Sequence, residues 1–233
     1  MAQSNSRSGP RIALIHALAE SVTPIHEAFA QEWPEAVTFD LLDTSLSRDL
    51  ASAGTLEPKM VERFLTLGRY VASTEGEGGR TAAILFTCSA FGPAIDAVKT
   101  ALNLPVLRPN EAAFDRALTI GGRIGLIVTF PPSLPALEAE LRDMARQRGV
   151  DVTIVARVVE GALGALRRGD GEEHDRLVAS AVMDLPMTDS LILGQFSLAR
   201  AAAVITPVPG REILTTPRSA VSKLRALLQA RDI

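Results

Sequence analysis

The only cysteine of the chain, Cys88, stands between two hydroxyl residues, Thr87 and Ser89, directly after the apolar run AAILF at 82–86. That run reads as a buried strand. A thiol just past the carboxyl end of a strand in an open parallel sheet lies where loops converge and helix N-termini leave unpaired N–H groups. A helix end there would lower the thiol from its usual pKa of about 8.5, making Cys88 a candidate base or nucleophile. Thr87 and Ser89, with backbone N–H groups, are candidates to hold a carboxylate or enolate oxygen. His16 closes another apolar run, RIALIHA at 11–17, on the same predicted edge, and is a candidate proton donor near the thiol. Inert burial of the cysteine and a hydrogen-bonded core role for the histidine are the competing readings.

Further hydroxyls gather at predicted element ends. Thr129 ends the strand RIGLIVTF at 123–130 beside Phe130, and Thr215 and Thr216 precede the last helix, where they either donate to an anion or simply cap. His26 and His174 fall in amphipathic and charged helices and are expected at the surface. Three dispersed histidines without ligand spacing give no metal site.

These residues need strands and helices in alternation to position them. Helical stripes occupy 22–33 (stopped by Pro34), 59–73, 93–102, 110–120, 133–148 and 172–185, with a last helix from about Arg218. Strands are expected at 11–17, 36–42, 82–86, 105–107, 123–130, 152–158 and 190–194. Residues 43–58 read as a long irregular loop and 167–176 as a solvent-facing bend. Strands separated by helices indicate βαβ units and mainly parallel sheets. The order nearly repeats: RIALIHA resembles RIGLIVTF at an offset of 112 (Arg11 to Arg123), and AAILFTCS resembles SLILGQFS at an offset of 108 (Ala82 to Ser190). The expectation is an α/β fold of two pseudo-symmetric lobes, each a mainly parallel four-stranded sheet flanked by helices, with a boundary near residue 105.

Composition removes other classes. The 233 residues are 47% hydrophobic, enough for a sizeable core without disulfide or metal staples. A net charge of −3 with no basic block argues against a nucleic-acid groove. One cysteine excludes an internal disulfide framework and Cys-rich zinc sites. No apolar run reaches the roughly 20 residues of a membrane span, and Met1 to Pro10 lacks a signal-peptide core, so a soluble cytoplasmic protein is expected. Disorder is expected only in about the first ten residues. No phosphate-binding loop, nucleophile elbow or dinucleotide fingerprint occurs.

The segments LFTCSAFG at 85–92, LILGQFSLA at 191–199 and EILTTPRSAV at 212–221, in that order and spacing, resemble the aspartate/glutamate racemase superfamily. That group includes hydantoin racemases, maleate isomerases and arylmalonate decarboxylases. The resemblance runs from Arg11 over most of the chain. It implies a first lobe of 11–104 plus 217–233 carrying Cys88, a second lobe of 105–216, an active site in the cleft between them, and no pyridoxal, metal or nucleotide cofactor. Racemases of the group carry one cysteine per lobe. Cys88 resembles the first, whereas Gln195 occupies the place of the second and has no titratable proton. Decarboxylase relatives use one cysteine, but theirs resembles the second-lobe position.

The resulting expectation is a cofactor-independent racemase or isomerase acting at the carbon next to the carboxylate of a small acid. Cys88 transfers a proton, hydroxyls of Thr87, Ser89, Thr129 and Thr216 hold the enolate, and Gln195 orients the substrate. Phe130 and Phe196 suggest a partly apolar pocket, and Arg108 and Arg211 are candidates for a second carboxylate. A malonate-type decarboxylase, a thiol hydrolase and a non-catalytic carboxylate binder are the alternatives. Homo-oligomerisation is a further expectation from the resemblance.

Overall fold

The computed structural model describes residues 9–231; the segment before Gly9, where disorder was expected, lies outside the described residues. Two compact units form. One runs to Arg108 and takes in the segment from Val221, and the other is Pro109–Ala220.

In the first unit, β1 (Arg11–His16), β2 (Val37–Leu42), β4 (Gly79–Phe86) and β5 (Val106–Leu107) make a parallel sheet in the order β2-β1-β4-β5. A two-residue strand, β3 (Glu75–Gly76), pairs antiparallel with the start of β4, so this sheet has five strands instead of four. Because β5 bonds to β4, residues 105–108 go with the first unit rather than the second. One sheet face buries Ala13, Ile15, Ile84 and Phe86 against α3 (Pro58–Ala72) and α4 (Gly92–Ala101). There Phe64 stacks on Phe86 with ring centroids 5.3 Å apart and meets Phe91 at a tilt, 4.8 Å away. By strand alternation Leu14, His16, Leu85 and Thr87 point to the opposite face. Ser21 and His26, at the start and in the middle of α1 (Val22–Glu32), reach this second face.

The expected loop after Asp43 contains α2 (Ser45–Ala53). Its start is set by Asp43, whose carboxylate accepts from the Ser45 N–H at 3.0 Å, and its end by Gly54 at a φ of 71°. Only Leu46 is buried on it, so its apolar period is too faint to read from sequence.

The second unit repeats the plan with β6 (Arg123–Val128), β7 (Thr153–Val158), β8 (Ser190–Leu193) and β9 (Glu212–Thr215), all parallel in the order β7-β6-β8-β9. Leu126, Val128, Ile192 and Leu214 pack with α5 (Glu111–Ile120) and α6 (Leu134–Gln147). Ile127, Leu191 and Leu193 pack with α7 (Ala162–Arg167), α8 (Gly171–Met183) and the 3-10 segment Phe196–Ala203. α8 starts inside the expected solvent-facing bend, capped by Asp170. α9 (Thr216–Gln229) begins in the second unit and ends in the first.

Hydrogen bonding fixes how the two sheets correspond. Ile15 pairs with Phe86 in one and Ile127 with Leu193 in the other. One residue further, Thr87 N–H donates to Ile15 O at 3.0 Å and Gly194 N–H to Ile127 O at 2.8 Å. Thr87 therefore matches Gly194 and Cys88 matches Gln195, an offset one residue less than the strand sequences alone suggest. By the same registers His16 matches Val128, and Asp40, level with Leu14, matches Ala156, level with Leu126.

Candidate functional site

At the carboxyl edge of the first sheet, β4 ends at Phe86 and Thr87 carries the chain into a 3-10 turn, Ser89–Phe91, that leads directly into α4. Cys88 is half-buried and leans on the α3/α4 core, the side of Phe86. Burial pushes its thiol up to about 11, and a backbone hydrogen bond from Ala90 only partly opposes this. The expectation of a thiol acidified by the helix end is thus overturned: loss of hydration outweighs the local N–H dipoles. At neutral pH Cys88 is a thiol and holds a proton. Ser89 beside it is likewise half-buried.

His16 is fully buried on the other face of the sheet, so strand alternation separates it from the Cys88 side chain. Both ring nitrogens are occupied. Nε2 lies 2.9 Å from Asp40 Oδ1, and Nδ1 lies 2.9 Å from Thr87 Oγ1 and 3.3 Å from Ser21 Oγ. A carboxylate only accepts, so Nε2 carries the proton and Nδ1 accepts from a hydroxyl. The Thr87 hydroxyl, at 2.9 Å, is the nearer donor, and the Ser21 hydroxyl is shared between Leu18 O at 2.7 Å and Thr87 Oγ1 at 2.8 Å. Burial lowers the His16 pKa, and the bond and charge of Asp40 work against that. His26, expected at the surface, is partly exposed, and its Nε2 meets both Asp40 oxygens at 2.9 Å. His174, also expected at the surface, is fully buried, with Nδ1 2.7 Å from Asp175 Oδ1. Its helix turns it inward among Val178 and Val182. Among the described residues no group of three or more His, Cys, Asp or Glu is arranged to hold a metal ion.

Arg108, just past β5, is held by the Asp96 carboxylate through Nε at 2.8 Å and a second bond from Nη2, so its guanidinium is not an open carboxylate receptor.

In the second unit the Gln195 side chain bridges two strand ends. Its Oε1 accepts from Thr129 N at 2.7 Å and Thr129 Oγ1 at 2.8 Å. The backbone donor settles the amide orientation, so Nε2, with two N–H donors, is turned away from Thr129. Gly194 allows this close approach: a Cβ there would sit 2.9 Å from Leu126 Cδ1 and 3.0 Å from Ile127 O. Thr215 is buried at the end of β9 and its hydroxyl has no hydrogen-bond partner among the described residues, whereas Thr216, fully buried, donates weakly to Leu193 O at 3.4 Å. Phe196 is a buried core residue and Phe130 is exposed. Arg211 precedes β9, at the amino edge of the sheet, and cannot serve the edge where Thr215 lies.

Three polar residues were not singled out from sequence. Asp40 and Ser21 complete the His16 array. Asn110, which is 1% exposed before α5, has neither amide atom partnered among the described residues. Asp40 did leave a trace, as a charge inside the apolar strand run AVTFDLL.

The sequence profile of the Asp/Glu/Hydantoin racemase family matches residues 19–224. The chain belongs to that family. Solved structures agree on the fold. Allantoin racemase from Klebsiella pneumoniae is 19% identical, with a TM-score of 0.66 over 95% of this chain and 89% of that one. Glutamate racemase from Bacillus anthracis is 16% identical, with a TM-score of 0.65 over 96% and 83%. An arylmalonate decarboxylase variant in a sulfate-associated form is 17% identical, with a TM-score of 0.63 over 94% of each chain. Among curated proteins none matches the chain. No helix among the described residues is long and apolar enough to cross a membrane. Within the racemase family fold, the observed groups can donate a proton from one thiol, offer the Ser89 hydroxyl and donate two hydrogen bonds from the Gln195 amide, whereas the Thr87 hydroxyl, expected to hold a carboxylate, is buried and turned to His16.

Proposed function

We propose that this protein catalyses proton transfer at the carbon next to the carboxylate of a small acid, without a cofactor, as a racemase or isomerase. The observation that carries the reading is the position of Cys88: the only thiol of a racemase-family chain, half-buried at the carboxyl edge of its sheet and flanked by hydroxyls. Cys88, in its minor thiolate form, takes the α-proton from one face of the substrate carbon, and the thiol so formed exchanges with solvent and returns a proton to the enolate. Ser89 and the backbone N–H groups after it stabilise the enolate oxygens, a single such donor being worth about 3–4 kcal/mol. Gln195 Nε2 orients the substrate, with Thr129 fixing the amide, and Thr215 and Thr216 are further candidate donors.

A second reading has its own support. A thiol pushed up to about 11 is suited to giving a proton rather than taking one. That step completes a decarboxylation in which a malonate-type acid loses carbon dioxide and the resulting enolate is protonated by Cys88.

The test is proton NMR in deuterium oxide with glutamate, aspartate, allantoin and an arylmalonate. Loss of an α-proton signal, abolished in Cys88→Ala, supports the first reading. Carbon dioxide release from the arylmalonate with a deuterated product selects the second. Saturable binding with neither overturns both and leaves a carboxylate-binding protein.

A further inference from the structure

The polar array behind Thr87 has no counterpart in the second unit. Asp40, His16 and Thr87 of the first sheet occupy the register positions of Ala156, Val128 and Gly194 in the second. The second sheet closes in the same strand order with an apolar set at those places. Burying an imidazole and orienting a carboxylate toward it is therefore not a requirement of this architecture, and apolar groups of similar shape are often at least as stabilising.

The direction of the bonds shows what the array holds in place. Asp40 Oδ1 accepts from His16 Nε2 at 2.9 Å, so the imidazole is the Nε2–H tautomer and its Nδ1 lone pair takes the Thr87 hydroxyl proton at 2.9 Å. Thr87 Oγ1 lies 2.8 Å from Ser21 Oγ and its N–H is bonded to Ile15 O. Thr87 is thereby fixed by side chain and backbone together, and the next residue in the chain is Cys88.

We propose that Asp40 and His16 are positioning residues for Cys88: Asp40 sets the tautomer of His16, His16 anchors the Thr87 hydroxyl, and Thr87 holds the thiol-bearing turn at the sheet edge. Neither touches the substrate. The groups facing the imidazole are Asp40 from β2, Ser21 and His26 from the start and middle of α1, and Thr87 from the end of β4. His26 shares the Asp40 carboxylate but has no contact with Thr87 among the described bonds, which makes it an internal control. The consequence for catalysis rests on the proton-transfer reading above, whereas the positioning of Cys88 does not.

The experiment uses the full chain and two readouts that need no substrate: the nitrogen-15 spectrum of His16 and the rate of Cys88 alkylation by iodoacetamide, unambiguous because Cys88 is the only cysteine. In the unmodified protein at pH 7 His16 is expected in the Nε2–H form. Asp40→Ala is expected to lose that tautomer and to speed alkylation about tenfold as the turn loosens. Asp40→Asn, whose Oδ1 still accepts from both imidazoles, is expected to keep the tautomer and an alkylation rate within about twofold of the parent, and His26→Ala likewise. Retention of both the Nε2–H tautomer and the parental alkylation rate in Asp40→Ala overturns the proposal. Where α-proton exchange is found, Asp40→Ala is expected to lower kcat about tenfold with little change in KM. Tautomer and alkylation changes without exchange in any acid support the positioning role and refute the enzymatic reading instead.

Discussion

The carboxyl edges of the two sheets share strand order and register but not chemistry. At the first, a buried Asp–His–Thr array stands behind a thiol. At the second, an amide clamps a neighbouring strand end, with glycine, valine and alanine behind it. One edge can exchange a proton; the other can only donate and accept hydrogen bonds. The difference teaches that the repeat specifies where functional groups stand, while the residue types there divide the work. Here the first edge carries a titratable group at Cys88 and the second a fixed dipole at Gln195.

The comparison breaks most severely at Cys88. Cys88→Ala leaves neither edge with a proton carrier, and exchange or decarboxylation is expected to fall by about a hundredfold or more, as measured by NMR. Stability changes come next. Gly194→Ala drives a methyl group against Leu126 Cδ1 and Ile127 O and is expected to destabilise by about 1–3 kcal/mol in urea unfolding. Thr87→Val at the matching position keeps the shape but leaves His16 Nδ1 without its nearer donor, at a similar cost of about 1–3 kcal/mol. If Thr87→Val were neutral while Gly194→Ala was costly, the array would contribute nothing to holding the first edge.

A smaller effect separates the two sheets by pH. Burial favours neutral His16 in the folded chain, so the folded state takes up its proton at lower pH than the unfolded state, where the histidine titrates near 6.5. The stability it confers is complete above that value and is lost as pH falls below it. His16→Gln is expected to flatten the decline in melting temperature between neutral and mildly acidic pH. A slope equal to that of the parent would show that another group governs it. Smallest of all, Thr215→Val removes a buried hydroxyl that has no partner among the described residues, and is expected to be neutral or slightly stabilising in the same unfolding assay.

Much of this architecture is legible in the sequence because buried parallel strands are short apolar runs with sharp ends, and β1, β4, β6, β7 and β8 stand out that way. Cys88 could be placed at an edge for the same reason, since AAILF runs straight into it. β9 was hidden because only Leu214 and Thr215 of its four residues are buried, and α2 because its sequence is mostly polar. The Asp40–His16 contact joins residues 24 apart through strand pairing, and no local pattern announces it. The direction of the Cys88 pKa is hidden from the sequence for a related reason. Helix-end dipoles can be inferred from neighbouring residues, whereas loss of water depends on α3 and α4 packing over the turn.

α9 carries a consequence for how the protein is made. The second unit is one continuous stretch, Pro109–Ala220, whereas the first needs the residues from Val221 onward. There Val221 and Leu224 are fully buried and Arg225 bonds to Glu32 O at 2.8 Å. The first unit therefore cannot be completed until the whole of the second has been translated. The half that bears Cys88 depends on residues translated after all of the other half.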